Sequence, residues 1–171
     1  MNYQAIKELE EKLLKELKPL AEATSRIREV LTTHANGKSL KGDEVVGWLG
    51  EIQGKLLLGG TLVGDDNEHD FVTEDERRVS VKARRDKGGS SWKRTSGIPK
   101  IEGDDCPTHL LFVRLDENYL VKNMWLYEWA SILKSERFKS HKVRGLHRAY
   151  FFEVNEPSDK GQMIYPSVSI D

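Results

Sequence analysis

The change of hydrophobic period along the chain is the feature that most restricts its fold. Residues 3–33 and residues 44–58 repeat apolar side chains every three or four positions, as amphipathic helices do. Short β-branched and aromatic runs, each bounded by turn residues, then cover residues 61–73, 76–85, 108–116, 119–127 and 148–155. A short helical pattern between Leu126 and Phe138 separates the last two runs. This order of helices, a three- or four-stranded meander, a helix and a last strand predicts an α/β (α+β) fold around one central sheet.

Three segments follow from these patterns. Residues 1–36 form an N-terminal helical arm for packing or dimerisation, residues 37–155 the main domain, and residues 156–171 a loose polar tail. Pro19 lies inside the helical pattern of the arm, and a proline removes a helix hydrogen bond and clashes with the preceding turn. We therefore predict that the first helix ends or kinks near Lys18 and that two helices meet there.

The second helix has clear start and stop signals. Asp43 is a typical N-cap residue, and Gly59-Gly60 is typical of a helix end. Its predicted apolar side consists of Val45, Trp48, Leu49, Ile52 and Leu56.

Composition excludes several classes of protein. A chain of 171 residues is long enough to bury one core and too short for two full-sized domains. The single Cys106 excludes an intramolecular disulfide framework and a multi-cysteine zinc site. The net charge of −1 gives no global basic field. The sequence contains no run of about 18 apolar residues, and MNYQAIKELEEK does not look like a signal peptide. We expect a soluble cytoplasmic protein that does not span a membrane.

Charge is distributed unevenly around one predicted hairpin. Residues 65–76 contain seven acidic residues and no Lys or Arg, whereas residues 82–100 contain seven basic residues and one Asp. Runs of charge usually decorate a solvated surface, and a hairpin tip is the simplest interpretation. The positions of the charges relative to the apolar alternation favour a functional interpretation.

Side chains on a strand alternate between its two faces. Val79 and Val81 then share one face, and Ser80 and Lys82 share the other. If the residues TEDERR form the hairpin turn, Asp70 lies beside Ser80 and Lys82. A carboxylate binds Mg²⁺ through oxygen, and a neighbouring ammonium can orient a water molecule and offset charge on a phosphate.

The second carboxylate of such a site is not obvious from the strands. Ser80 occupies the place where an acidic residue would be expected beside Lys82. Glu44 and Glu51 on the preceding helix are seven positions apart and share one helical face, so either can supply it.

The order Glu51 on a helix, Asp70 before a strand and Lys82 on the next strand resembles the PD-(D/E)XK nuclease superfamily, which includes many type II restriction endonucleases. The likeness covers about a quarter of the chain, roughly residues 40–85. It implies a restriction-endonuclease-like core, with a central mixed sheet flanked by helices, in which Asp70, Glu51 and the Val81 carbonyl hold Mg²⁺. Lys82 would help to deprotonate the attacking water, and the P–O3′ bond would break to leave a 5′-phosphate.

The resemblance implies a Mg²⁺-dependent endonuclease for duplex DNA, of restriction or phage-defence type, acting as a homodimer because each chain carries one site. Ser80 departs from the family pattern, and it favours a second hypothesis: a catalytically inactive nuclease fold that binds DNA or supports an assembly. A third hypothesis is a structural α+β protein that does not bind nucleic acid. The sequence does not distinguish DNA from RNA as substrate.

The basic segment after Lys82 carries the predicted DNA contacts. Arg84 and Arg85 point to opposite faces of the strand, so only one can lie beside Lys82. The predicted DNA-binding residues are Arg84, Arg85, Ser91, Trp92, Lys93 and Arg94. Trp92 either stacks on a base or packs under the loop, and packing is the commoner role of a tryptophan. A second basic cluster, SHKVRGLHR at residues 140–148, either contacts the DNA backbone or forms a solvated loop.

Overall fold

The computed structural model describes residues 1–32, 44–64, 67–95, 97–98, 103, 105–143 and 145–166. The predicted N-cap Asp43 lies outside them, as does Arg144 of the second basic cluster. The helices are α1 (Tyr3–Thr32), α2 (Glu44–Leu58) and α3 (Trp129–Leu133). The strands are β1 (Thr61–Leu62), β2 (Phe71–Val72), β3 (Arg78–Arg85), β4 (His109–Leu115), β5 (Val121–Glu128), β6 (Phe138–Val143), β7 (Leu146–Phe152) and β8 (Met163–Tyr165).

Six strands form one mixed sheet in the order β1-β2-β3-β4-β5-β8. Strands β3 and β4 are parallel, and the other neighbours are antiparallel. Strands β6 and β7 form a separate antiparallel ribbon. The protein is thus an α+β protein with one central sheet, as the pattern predicted. The predicted meander is wrong at one point, because β3 and β4 pair in parallel and make the sheet mixed.

Each face of the sheet packs against its own hydrophobic cluster. Val79 and Val81 of β3 belong to a cluster that includes residues of α1 and α2. Leu110 and Phe112 of β4 belong to a second cluster with Trp92, residues of α3 and the base of the ribbon. Because neighbouring residues of a strand point to opposite faces, Ser80, Lys82 and Arg84 lie on the face of the second cluster.

The prediction that the first helix ends near Lys18 and that two helices meet there is wrong, because α1 continues through Pro19 to Thr32. A kink at Pro19 stays a prediction. Ile6, Leu17 and Ala21 belong to the same core cluster. Burial of residues on both sides of Pro19 holds the two halves of the helix against one surface, and tertiary packing commonly outweighs local propensity. None of the helices in the described residues is long and apolar enough to cross a membrane.

The predicted end of α2 at Gly59 is confirmed, and Gly59 has a φ of 74°. The predicted apolar side of this helix is only partly right. Trp48 is 62% exposed and Ile52 is 42% exposed. A Cβ at Gly50 would lie 2.6 Å from the Ala83 Cβ, so glycine allows the helix to lie close to the sheet. The side of α2 that carries the glycines therefore lies closest to the sheet, and Trp48 points toward solvent.

Two C-terminal elements were not predicted. Residues 138–143, part of the basic cluster, form β6 and pair with β7. Residues 163–165, assigned above to a loose tail, form β8 and pair with Met124 and Trp125 of β5. The predicted helix between Leu126 and Phe138 shortens to α3, because β5 extends to Glu128.

Candidate functional site

The β2–β3 hairpin brings Asp70, Ser80 and Lys82 to one face. Phe71 pairs with Val79, and Asp70, the residue before Phe71, lines one cavity together with Ser80 and Lys82. The Asp70 N–H donates to the Val79 carbonyl at 2.9 Å. The predicted placement of these three residues is confirmed.

The Asp70 carboxylate occupies the edge of β3 where the short strand β2 ends. Its Oδ2 accepts a hydrogen bond from the Val81 N–H. A backbone donor at this point has no further β2 residue to pair with, and the carboxylate satisfies it. One oxygen of Asp70 is therefore fixed by the main chain, and this bond sets the orientation of the whole carboxylate.

A cavity of about 120 Å³ opens at this edge of the sheet. Its walls combine polar and apolar side chains: Asn67, Glu68, Asp70, Ser80, Lys82, Ile98, Pro107 and Trp129. Glu68 is a carboxylate of this cavity that the sequence analysis did not select. The spacing of two residues between Glu68 and Asp70 was a signal for it, since both belong to the same acidic run.

Asp105 holds the segment that carries Glu68. Its Oδ2 accepts a hydrogen bond from the Glu68 N–H at 2.8 Å, and its Oδ1 lies 3.4 Å from the buried His69 Nδ1. Asp105, in the loop before β4, thus holds residues 68 and 69 in place although it lies 37 positions after Glu68 in the sequence. This clamp fixes the main chain on which Glu68 stands.

Glu51 is half-buried on α2 and is not among the residues that line this cavity. The preceding residue, Gly50, faces Val81 and Ala83, so α2 packs on the face of the sheet opposite to Lys82. The side chain of Glu44 lies outside the described residues.

The two arginines after Lys82 point to opposite faces, as predicted. Arg84 donates from Nε to the Arg94 carbonyl at 3.1 Å and from Nη2 to the Thr95 carbonyl at 3.2 Å. Burial, and then the charge of Arg94, lower the pKa of Arg84. Arg85 lies over the Tyr119 ring, with Cζ 4.4 Å from the ring centroid. Both side chains have structural contacts within the chain.

Trp92 is a core residue, which corrects its assignment as a DNA contact. It is 2% exposed and lies 5.9 Å from Trp125, with the rings stacked. The Arg114 Cζ lies 3.6 Å from the Trp92 ring centroid on one side. A base cannot stack on a ring that is enclosed in this way. Ser91, beside it, is exposed, and Lys93 is half-buried near the Trp92 ring.

A larger depression of about 640 Å³ lies beyond the other end of β3, lined in part by Asp86 and Lys122. Its charges are engaged with each other: Asp86 Oδ2 lies 2.7 Å from Arg114 Nη2 and 3.3 Å from Lys122 Nζ. Burial acts to raise the pKa of Asp86, but the hydrogen bonds that it accepts hold it below its ordinary value. Asp86 is therefore engaged by two cationic side chains.

The donor set of the smaller cavity is compatible with a lightly liganded hard cation. Across the described ranges, no three His, Cys, Asp or Glu side chains form a group that could hold a metal. Mg²⁺ commonly binds through one or two carboxylates and completes its shell with water and substrate phosphate. Asp70, oriented by the Val81 N–H, and Glu68 are two carboxylates that line this cavity.

No protein-family model matches this chain, and no curated protein matches it in sequence. The class of this protein is therefore defined by its fold and by the residues of its cavity. It is an α+β protein whose mixed sheet carries a cavity lined by carboxylates and one lysine.

Proposed function

We propose that the protein is a Mg²⁺-dependent nuclease that hydrolyses phosphodiester bonds in duplex DNA, with a restriction-endonuclease-like core. The single observation that carries this proposal is the convergence of Asp70 and Lys82 from adjoining strands on one cavity. A carboxylate and an ammonium at one cavity suit a reaction whose transition state concentrates negative charge on a phosphate.

Asp70 would hold the cation, and its orientation is preset by the Val81 N–H. A bound Mg²⁺ would supply Lewis-acid stabilisation of the phosphate oxygens. The Lys82 ammonium holds the attacking water at the cavity wall and offsets charge on the phosphate. Water adds to phosphorus as the P–O3′ bond breaks. The attacking water releases a proton to solvent and the leaving 3′ oxygen takes up a proton, so the products are a 5′-phosphate and a 3′-hydroxyl. The half-buried setting of Lys82 limits competing solvent contact.

The second carboxylate comes from Glu68 or from Glu51, and paired variants decide between them. Glu68 shares the cavity with Asp70, which supports it. Glu51 holds the position that the resemblance indicates. We expect the correct residue, when changed to Gln, to weaken Mn²⁺ binding measured by titration calorimetry at least tenfold. The other variant should bind as the unaltered protein does.

The test of the proposal is cleavage of plasmid and linear duplex DNA in Mg²⁺. Asp70→Asn and Lys82→Ala should each reduce the cleavage rate by about 10²- to 10⁴-fold. Glu74→Gln is the matched control, because Glu74 is an exposed carboxylate on the same hairpin that does not line the cavity. Cleavage that persists in both cavity variants would refute the assignment.

A second candidate function is a DNA-binding module on an inactive nuclease fold. Ser80 supports it, because this buried residue lines the cavity together with Asp70 and provides no carboxylate. Binding of duplex DNA without cleavage in Mg²⁺ or Mn²⁺ would favour this function over the first. In the active case two copies would cut the two strands, and light scattering with DNA present should then give the mass of two chains plus that of one duplex.

A further inference from the structure

The β6–β7 ribbon is a basic element that the central sheet does not include. Residues 138–152 contain Lys139, Lys142, Arg144 and Arg148 and no Asp or Glu. The side chains of Lys139 and Lys142 are exposed. In the described part of the chain, no ion pair joins either ammonium to a carboxylate. Two solvated positive charges on an arm without acidic residues form a surface for an anion.

The base of this ribbon is firmly held. Phe152 is 1% exposed in the second hydrophobic cluster, and Phe138 stacks on Tyr150 with ring centroids 5.1 Å apart. The Thr95 N–H donates to the Phe152 carbonyl at 2.9 Å. The ribbon therefore starts from a rigid platform, so its outer charges are presented at a defined place.

Arg94 belongs to this base. Its Cζ lies 3.5 Å from the Phe151 ring centroid, and its Nη2 lies 3.1 Å from the Nδ1 of His141. The sequence analysis assigned Arg94 to direct DNA contact. These contacts join the basic segment after β3 to the ribbon. The positive charge of Arg94, at the Phe151 ring of β7, adds to that of Lys139 on the neighbouring strand β6.

The ribbon also adjoins the candidate catalytic cavity. Ile98, which lines that cavity, exchanges hydrogen bonds of 2.9 Å with Tyr150 of β7 in both directions. A molecule bound along the ribbon would thus lie beside the cavity that contains Asp70 and Lys82.

We propose that the β6–β7 ribbon enters the major groove of duplex DNA and that Lys139 and Lys142 contact the phosphates at its margins. The major groove of B-form DNA, about 12 Å wide, admits a two-stranded β-ribbon. The positive charge complements the phosphates, and the ribbon would position the duplex against the cavity. This inference rests on the proposed nuclease function for the role of the bound DNA, but its test does not depend on cleavage.

The experiment measures binding of a labelled DNA duplex by fluorescence anisotropy in EDTA over a range of salt concentrations. Each phosphate contact contributes about 0.9 to the slope of log affinity against log salt. The double variant Lys139→Ala/Lys142→Ala should therefore reduce the slope by about 1.8 and weaken binding roughly 10- to 60-fold near 0.1 M salt. Lys12→Ala/Lys15→Ala, with two exposed lysines of the same spacing on α1, is the matched control and should leave both unchanged.

Duplex RNA serves as a competitor, because its deep and narrow major groove does not admit side chains of a ribbon. DNA should compete at least tenfold better than RNA, and equal competition would overturn groove entry. An unchanged slope in the ribbon variant would refute the ribbon and leave the nuclease proposal intact. Ribbon-dependent binding without cleavage would refute the nuclease proposal and support the ribbon.

Discussion

Replacement of Trp92 by alanine should destabilise the fold far more than it affects DNA binding. The ring is 2% exposed between Trp125 and the guanidinium of Arg114. Truncation of a buried tryptophan costs about 3–5 kcal/mol, and loss of a desolvated cation–π contact adds about 2 kcal/mol. With some relaxation of the site, we expect a loss of about 4–6 kcal/mol in the free energy of unfolding.

The loss should lower Tm by roughly 10–20 °C, since about 1 kcal/mol corresponds to 2–4 °C at this chain length. Urea and thermal unfolding followed by far-UV circular dichroism measure it. Because such a loss approaches the whole stability of a domain, Trp92→Phe serves as a milder variant, with an expected cost of about 1–2 kcal/mol. Trp48→Ala is the control: Trp48 is 62% exposed, and the change should be within about 0.5 kcal/mol.

The result that would refute this reasoning is a Trp92→Phe variant with unaltered stability and at least tenfold weaker DNA binding. That combination would mean that Trp92 meets a base and that its enclosure in the second hydrophobic cluster is wrong. Unaltered DNA affinity of Trp92→Phe, together with the loss of stability, would confirm that the tryptophan acts only through the fold.

Two further predictions concern the packing of α2 and the C-terminal ion pair. Gly50→Ala should lower the free energy of unfolding by about 1–2 kcal/mol, because the new Cβ would lie 2.6 Å from the Ala83 Cβ. Gly47→Ala, in the same helix with no atom within 4 Å of its Cβ, should raise it by about 0.5–1 kcal/mol; equal effects in urea unfolding would contradict the close approach. Burial acts to raise the pKa of Asp159, but hydrogen bonds led by that of Arg137 hold it below 3.8. The pair therefore stabilises the fold above about pH 4, and this stability is lost as the pH falls through the lowered pKa. Asp159→Asn should cost about 3 kcal/mol at pH 7 and flatten the pH dependence below pH 4, and an unaltered pH profile of Tm would contradict it.

The local sequence pattern was sufficient to predict the part of the site that lies on the β2–β3 hairpin. Asp70, Ser80 and Lys82 are joined by one short turn, and strand alternation fixes which of them share a face. The same reasoning placed Arg84 and Arg85 on opposite faces. The end of α2 at Gly59 was likewise predictable, because the signal lies in the residue itself.

Contacts between distant segments were beyond local pattern. The clamp on Glu68 comes from Asp105, and strand β8 completes the sheet from a segment with weak strand signal. Pro19 could not be judged alone either, since the burial of Ile6 and Ala21 on either side of it decides that α1 continues.

The sequence by itself determined the α+β class with one central sheet, the end of α2 and the pairing of one carboxylate with one lysine, because each depends on periodicity or on a single turn. Only the tertiary structure decided that Trp92 is enclosed, that Glu68 reaches the cavity of Asp70 and that the second basic cluster contributes to a ribbon. These outcomes depend on which distant surfaces exclude water together, and burial of that kind is a property of the packed chain and not of any one segment.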